Sequence, residues 1–451
     1  MLLQRHATES SLMWRSGESL EFQVSSLKEM KIGKGFITGL LVFVVFAAQA
    51  QVQTTTALLG SWSGKLQVRA ISLTLVLNLE QAEGYVTATL DSPDQGAKGM
   101  PMLKEYLSDD SVAVKVEAAG ITYRARLKEG KLDGTFMQNG MSFPLVMTRG
   151  VAETKRPQTP QGPFPYKTEE VTFINKADGA TLAGTLTWPE GYDGKGGRKP
   201  VVVLLVTGSG QQNRDEELFA HKPFLVIADY LARQGIATLR YDDRATAKST
   251  GGDAKNATTQ DLARDAEVGI RYLRSRKAFS SVGLLGHSEG GMIGFILAAK
   301  GKTDFLISLA APAVKGDTLL AAQSNRMVEL AGLGRKVTVG ELRAAPNLNS
   351  LPWWKWTLDY DPSTNIRKTR CPVMALNGER DCQVIVSQNL TAIRELLPKS
   401  QKNMIKQYPE LNHLFQHCTT GLPIEYGQIE ETISQEVLQD IAQWIKGSIA
   451  L

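Results

Sequence analysis

The residues best placed for covalent chemistry are Gly286-His287-Ser288-Glu289-Gly290, which follow the apolar run 282–285 directly and lead into a small-residue stretch. Strand, tight turn and helix in that order hold a serine in a strained backbone conformation, and the flanking glycines let the helix and neighbouring strands approach. The turn lifts the hydroxyl out of the sheet at a helix N-terminus, where backbone N–H groups steady negative charge. The pattern points to acyl transfer with Ser288 as nucleophile. The competing interpretation is a tight strand-to-helix turn that happens to contain serine.

A serine hydroxyl needs a base, and the chain has five histidines. His6 lies in the leader. His287 precedes the serine, and its side chain is expected on the opposite side of the turn. His221 precedes a helix and is a candidate for the pocket wall. His413 and His417 follow the last apolar run; His413 opens the loop that should overhang Ser288, and His417 falls a helical turn later, toward solvent. His413 is therefore preferred. An orienting acid should follow the preceding strand, where Asn377-Gly378-Glu379-Arg380-Asp381 closes a buried run. Asp381 gives the chain order Ser…Asp…His and is preferred to Glu379, a solvated turn residue. Thr207-Gly208-Ser209-Gly210, after the first buried run, can turn backbone N–H groups toward the nucleophile. The oxyanion donors are assigned to Ser209 N–H (or Gly210) and Glu289 N–H. No Gly-Lys-Ser/Thr follows, so a phosphate loop is excluded. The chemistry needs no metal and no organic cofactor.

These residues must be carried on a sheet. From about residue 170, apolar runs at 201–206, 236–239, 282–285, 305–309, 373–376 and 404–408 alternate with helical stretches near 223–234, 260–277, 290–300, 316–345, 387–396 and 433–446. Buried strands without polar alternation, separated by helices, mean a parallel sheet covered on both faces. Residues 58–149 differ: period-two patterning, as at Val112, Val114 and Val116, broken by glycines, describes an antiparallel meander forming a barrel or a sandwich. Pro157, Pro160, Pro163 and Pro165 then mark a stiff linker.

With those residues in place, 170–446 resembles the α/β-hydrolase fold. More narrowly, it is similar to bacterial secreted or periplasmic esterase-like hydrolases with a Gly-Ser-Gly…Arg-Asp-Glu loop after the third strand, here Gly208-Ser209-Gly210 and Arg214-Asp215-Glu216. Arg240 to Gly251 resembles that family's Asp-Arg-Gly-x-Gly-x-Ser loop, and Leu351-Pro352-Trp353-Trp354 to Pro362 resembles its lid region. Two departures stand out. Thr207 occupies a position where relatives carry histidine, and Ala245 and Ala247 replace the usual glycines. The resemblance implies an α/β-hydrolase sheet, mostly parallel, with a helical lid insertion at about 312–370 and a small all-β domain before it. Trp353, Trp354 and Trp356 in the insertion either face an apolar or sugar substrate or anchor the lid on the core.

The apolar stretch 36–48, preceded by Lys31 and Lys34 and followed by Ala48-Gln49-Ala50, has the plan of a secretory signal peptide and is too short to span a membrane. The expected organisation is an upstream segment 1–29, with Met30 as an alternative start, a signal peptide 30–50, an all-β accessory domain 57–150, a linker 151–168 and a catalytic domain 169–451. The product is expected to be secreted or periplasmic, without stable membrane insertion after cleavage. Cys382 and Cys418 could pair in that compartment, or all thiols could survive. A net charge of +5 with no block of like charges argues against nucleic acid. The expected function is cleavage of carboxylic esters in a small acylated substrate. Peptide or thioester cleavage by the same triad, and a non-catalytic envelope or carbohydrate-binding protein, are the alternatives; oligomeric state is left open.

Overall fold

The run Val201–Val206 shows how the larger sheet is built. In the computed structural model, Val202, Leu204 and Val206 enter one core and Val201, Val203 and Leu205 enter another. Side chains of a strand alternate between faces, so a strand covered on both sides is apolar throughout. Residues 56–449 are described, apart from 69–70, 83–84, 96, 152–154, 196–198 and 333. The expected leader and signal peptide lie outside them.

Eight antiparallel strands come first: β1 (Gly60–Val68), β2 (Ile71–Ala82), β3 (Tyr85–Ser92), β4 (Ala97–Leu107), β5 (Ser111–Val116), β6 (Ile121–Lys128), β7 (Lys131–Gln138) and β8 (Met141–Arg149). They form a closed barrel in which β1 meets β8 through Ser63 and Thr148. A barrel, not a sandwich, satisfies the period-two pattern. Trp62, Leu77, Val114, Tyr123, Leu132 and Leu145 fill its interior. The polar tips inside are satisfied: Trp62 Nε1 donates to the Leu58 carbonyl at 2.8 Å, and Tyr123 Oη to the Leu132 and Leu145 carbonyls at 3.3 and 3.2 Å. In a barrel of this size the interior is a packed core.

The second sheet has nine strands. β9 (Thr168–Asn175) and β10 (Ala180–Thr187) form a hairpin, and β10 also pairs antiparallel with β12 (Ala237–Tyr241) and the short β13 (Thr250–Gly251). From β12 the order runs through β11 (Val201–Val206), β14 (Ser281–His287), β15 (Leu306–Leu309), β16 (Val373–Gly378) and β17 (Met404–Tyr408), all parallel. Helices α1 (Pro223–Arg233), α2 (Thr259–Ser275) and α3 (Glu289–Ala299) follow β11, β13 and β14. α1 packs in one core, and α2 and α3 in the other. The connections leaving β11 and β14 thus depart to opposite faces. That reversal opens a crevice beyond their carboxyl ends, where open α/β sheets bind ligands.

Between β15 and β16 the chain inserts α4 (Gly316–Leu330), α5 (Val339–Ala344), α6 (Pro352–Asp359) and α7 (Ser363–Lys368). The continuous helical stretch expected at 316–345 is corrected to two helices. Gly332 adopts φ +64, and Asn325 bridges the break through its Oδ1 to Val337 N–H at 2.6 Å and its Nδ2 to the Val337 carbonyl at 2.9 Å. Buried Asn389, on α8 (Val386–Leu396), anchors the start of the insertion by accepting from Ala313 N–H at 2.9 Å. α9 (Gln435–Ser448) closes the fold. Barrel and sheet are joined through the 3₁₀ turn Pro423–Gln428: Gln428 Nε2 donates to the Ser72 carbonyl at 3.0 Å and to Asp94 at 3.2 Å. Arg156 adds bonds to the carbonyls of Phe219, Gly427 and Ile429.

Candidate active site

Ser288 sits between β14 and α3 with φ 53 and ψ −115. A serine in such a conformation stores strain that the surrounding structure must fix. It is fixed by contact. A Cβ on Gly286 would lie 2.1 Å from the Gly290 carbonyl oxygen, and one on Gly290 would lie 2.1 Å from the Val206 carbonyl oxygen. Both glycines are therefore dictated by close approach.

Asp381 and His413 come together from the loops after β16 and β17. His413 Nδ1 lies 2.7 Å from Asp381 Oδ2, and both residues are buried. Asp381 Oδ1 accepts from the N–H groups of Gln383 and Val384, each at 2.8 Å, so the carboxylate is held from both ends. The aspartate fixes the tautomer that leaves Nε2 for other chemistry. His413 and Ser288 line one cavity of about 650 Å³. Glu379 is exposed, and His417 pairs with Glu431 at 2.8 Å with its side chain 59% exposed. Neither competitor reaches the cavity wall.

Ser209 and Glu289 line the same cavity. Glu289 opens α3, so its N–H has no acceptor within the helix. The Ser209 loop is held from behind by Asp243, which accepts from Gln212 N–H at 2.9 Å and from Thr207 Oγ1 at 3.1 Å. Thr207 thus braces the loop. Burial pushes the Asp243 carboxyl up to about 8. Ala245 and Ala247 retain positive φ values of 53 and 48, the conformation glycine would adopt more readily.

Two histidine expectations are corrected. His287 does not turn away from the site. It lines the cavity, its ring centroid lies 4.7 Å from that of His413, and its Nε2 lies 3.0 Å from the His413 carbonyl oxygen. The register of β14 against β11 and β15 decides this, and nothing local in the sequence announces it. His221 does not line the pocket. It is buried, with Nδ1 2.9 Å from Thr432 Oγ1 and Nε2 2.9 Å from the Tyr426 carbonyl, and burial lowers its pKa to about 4. It fastens the turn that carries Tyr426 into the cavity wall.

The tryptophans divide between both expected roles. Trp353 and Trp354 line the cavity, whereas Trp356 stacks on Tyr360 at 4.3 Å and packs against the core. Trp353 Nε1 donates to Glu289 Oε1 at 2.8 Å, tying the insertion to the residue after the serine. Cys371, Cys382 and Cys418 are free thiols. Among the described residues no helix is long and apolar enough to cross a membrane, and no cluster of three or more His, Cys, Asp or Glu could hold a metal ion.

With this geometry established, similarity to known proteins can be placed. Residues 222–352 match the family model described as serine aminopeptidase, S33. The chain is 28% identical over 277 residues to Esterase EstD of Thermotoga maritima, an alignment covering 58% of this chain and 65% of that protein. It therefore spans under two thirds of that relative's length. Among solved structures, the Pyrococcus furiosus esterase Pf2001 matches at 16% identity and TM-score 0.41, covering 66% of this chain and 98% of its own. Est1E of Butyrivibrio proteoclasticus with bound ferulic acid matches at 18% identity and TM-score 0.42, covering 62% and 100%.

The larger sheet has the α/β-hydrolase fold. Its helical insertion between β15 and β16, and the closed barrel ahead of it, complete the architecture expected from the sequence.

Proposed function

We propose that this chain is a serine hydrolase that cleaves carboxylic esters. The observation that carries the reading is that His413, paired with buried Asp381 at 2.7 Å, lines one cavity with the strained Ser288. In this mechanism His413 Nε2 takes the Ser288 Oγ proton as the oxygen attacks the ester carbonyl. Ser209 N–H and Glu289 N–H stabilise the resulting oxyanion. His413 then returns the proton to the leaving alkoxide, and Asp381 steadies the imidazolium in between. Water, deprotonated by the same histidine, releases the acid and regenerates the serine.

The similarity to a protein called an esterase supports the ester assignment. The cavity walls suit a small acylated substrate: Met292, Val314, Leu319 and Trp354 give apolar surface. Two buried acceptors on lining residues, Gln212 Oε1 and Glu289 Oε2, have no protein donor. A second reading, peptide cleavage with the same triad, is favoured by the description of the family model. Residues 30–50 support export, and we assign the enzyme to a compartment outside the cytoplasm.

Hydrolysis of p-nitrophenyl esters from acetate to laurate tests the proposal, alongside aminoacyl p-nitroanilides. Ester turnover lost in Ser288→Ala is the expected result. Turnover of the anilides alone moves the assignment to a peptidase, and ester turnover that survives Ser288→Ala rejects the mechanism.

A further inference from the structure

His287 has no part in the scheme above, yet it is the most tightly engaged side chain beside it. Its Nδ1 lies 3.0 Å from Glu216 Oε1 and its Nε2 lies 3.0 Å from the carbonyl oxygen of His413. A carboxylate and a carbonyl both only accept hydrogen bonds. A neutral imidazole has one N–H and would set its other nitrogen lone pair against an oxygen; an imidazolium satisfies both sides. The residue is 5% exposed and Glu216 is 1% exposed, so an opposed pair of lone pairs would find no water to relieve it.

Glu216 serves a second strand of the site. The same Oε1 accepts from Gly208 N–H at 2.7 Å, next to Ser209 in the oxyanion loop. A Cβ on Gly208 would lie 3.4 Å from Ser288 Cβ and 3.5 Å from His287 Nδ1, so the loop, the serine turn and this imidazole pack directly together. One carboxylate thus ties the oxyanion loop to His287, and His287 ties both to the backbone of His413.

We propose that His287 is a positioning residue, an imidazolium held by Glu216 that fixes the His413 main chain and places positive charge beside the His413 ring. The proposal rests on the serine-hydrolase reading and adds a second histidine to it. The ring centroids are 4.7 Å apart. A cation at that range acts on the same ring as the Asp381 carboxylate, with the opposite sign. The charged and titratable groups facing His287 are Glu216 from the loop after β11, Asp381 from the loop after β16 and His413 from the loop after β17. On its own element, Glu289 is turned to Thr259 and Trp353. Burial works against the imidazolium, but the charge and hydrogen bond of Glu216, with the His413 carbonyl, hold the His287 pKa above its ordinary value. The contribution is therefore complete below the ordinary histidine range and is lost as pH rises through the raised value.

The test uses the full chain and its His287→Asn, Glu216→Gln and double variants. Rates of fluorophosphonate labelling at Ser288 and kcat and KM on a p-nitrophenyl ester are followed from about pH 5 to about pH 10, a range that starts below the ordinary histidine value of about 6.5 and extends well above it, with thermal melts as folding controls. His287→Asn should lower kcat by about 10²-fold with KM little changed, as small misplacements of reacting groups do. Its acid limb should move up by about one pH unit, because Glu216 is left unpaired beside His413. The double variant keeps amide hydrogen bonds without charge and should recover stability but not the wild-type pH profile. If His287→Asn does not fold, Glu216→Gln decides: its alkaline limb should move to lower pH. Unmoved pH profiles in the variants, or a wild-type profile restored by the neutral pair, overturn the proposal. Failure of the wild type to label at Ser288 would instead reject the serine-hydrolase reading.

Discussion

The barrel and the parallel sheet bury similar apolar side chains but treat polar groups in opposite ways. In the barrel core the large polar tips are a tryptophan N–H and a tyrosine hydroxyl, each bonded to a main-chain carbonyl, and the buried carboxylate of Asp94 accepts from Thr74 N–H and from Gln428 at the junction with the sheet domain. At the carboxyl end of the sheet, Asp243, Glu216, His287, Glu289, Asp381 and His413 are all buried within a few loops. Burying ionisable groups costs stability unless each is paired, so a protein does it where the charge is used. The barrel is built to be stable, and the crevice gathers the groups that the proposed chemistry would use.

The sharpest way to test that division is to alter each region and read activity and stability separately. Ser288→Ala should reduce kcat by about 10⁶-fold with the melting temperature nearly unchanged. Asp381→Asn should cost about 10⁴-fold in kcat, because the amide no longer fixes the productive tautomer of His413. In the barrel, Leu77→Ala should destabilise the chain by about 2–5 kcal/mol, with kcat of the folded fraction unchanged. A change in kcat there would break the comparison by showing that the barrel shapes the crevice through Gln428 and Asp94.

Asp243→Asn sharpens it. The buried carboxyl, with its pKa pushed up to about 8, binds its proton more tightly folded than unfolded. It contributes stability that is complete below the unfolded carboxylate value and lost as pH rises through about 8. An asparagine keeps the bonds to Gln212 and Thr207 but does not titrate. Melts from acid to alkaline pH should therefore show the variant gaining on wild type by at most about 1.4 kcal/mol per pH unit between those limits. A constant difference would mean that Asp243 is ionised throughout. The smallest effect is expected for Ala247→Gly: relief of the left-handed alanine, worth about 1 kcal/mol, is offset by added freedom of the unfolded chain. Chemical denaturation should give a net change within about 0.5 kcal/mol.

How much was legible follows from the range of the interactions. Ser288 and Asp381 each stand just beyond a buried apolar run, and His413 follows the half-buried edge strand β17; run, turn and residue type are local signals. The barrel strands announce themselves by period two, although closure through Ser63 and Thr148 is a pairing across the whole meander. What stayed hidden depends on partners far apart in the chain. Glu216 reaches His287 across 71 residues, and Asp243 reaches Thr207 across 36. The orientation of His287 is likewise set by strand register. His221 is fixed by Thr432 and Tyr426, which no local pattern links to it. Gly332 and Gly334 signal the break, but the helix-forming residues on both sides read as one continuous stretch.

The most direct measurement is reaction of the full chain with a fluorophosphonate, followed by peptide mapping of the adduct. A single adduct on Ser288, absent from Ser288→Ala and formed far more slowly in Asp381→Asn, is the expected result. No adduct, or one that persists in Ser288→Ala, would contradict a nucleophilic serine at the turn between β14 and α3.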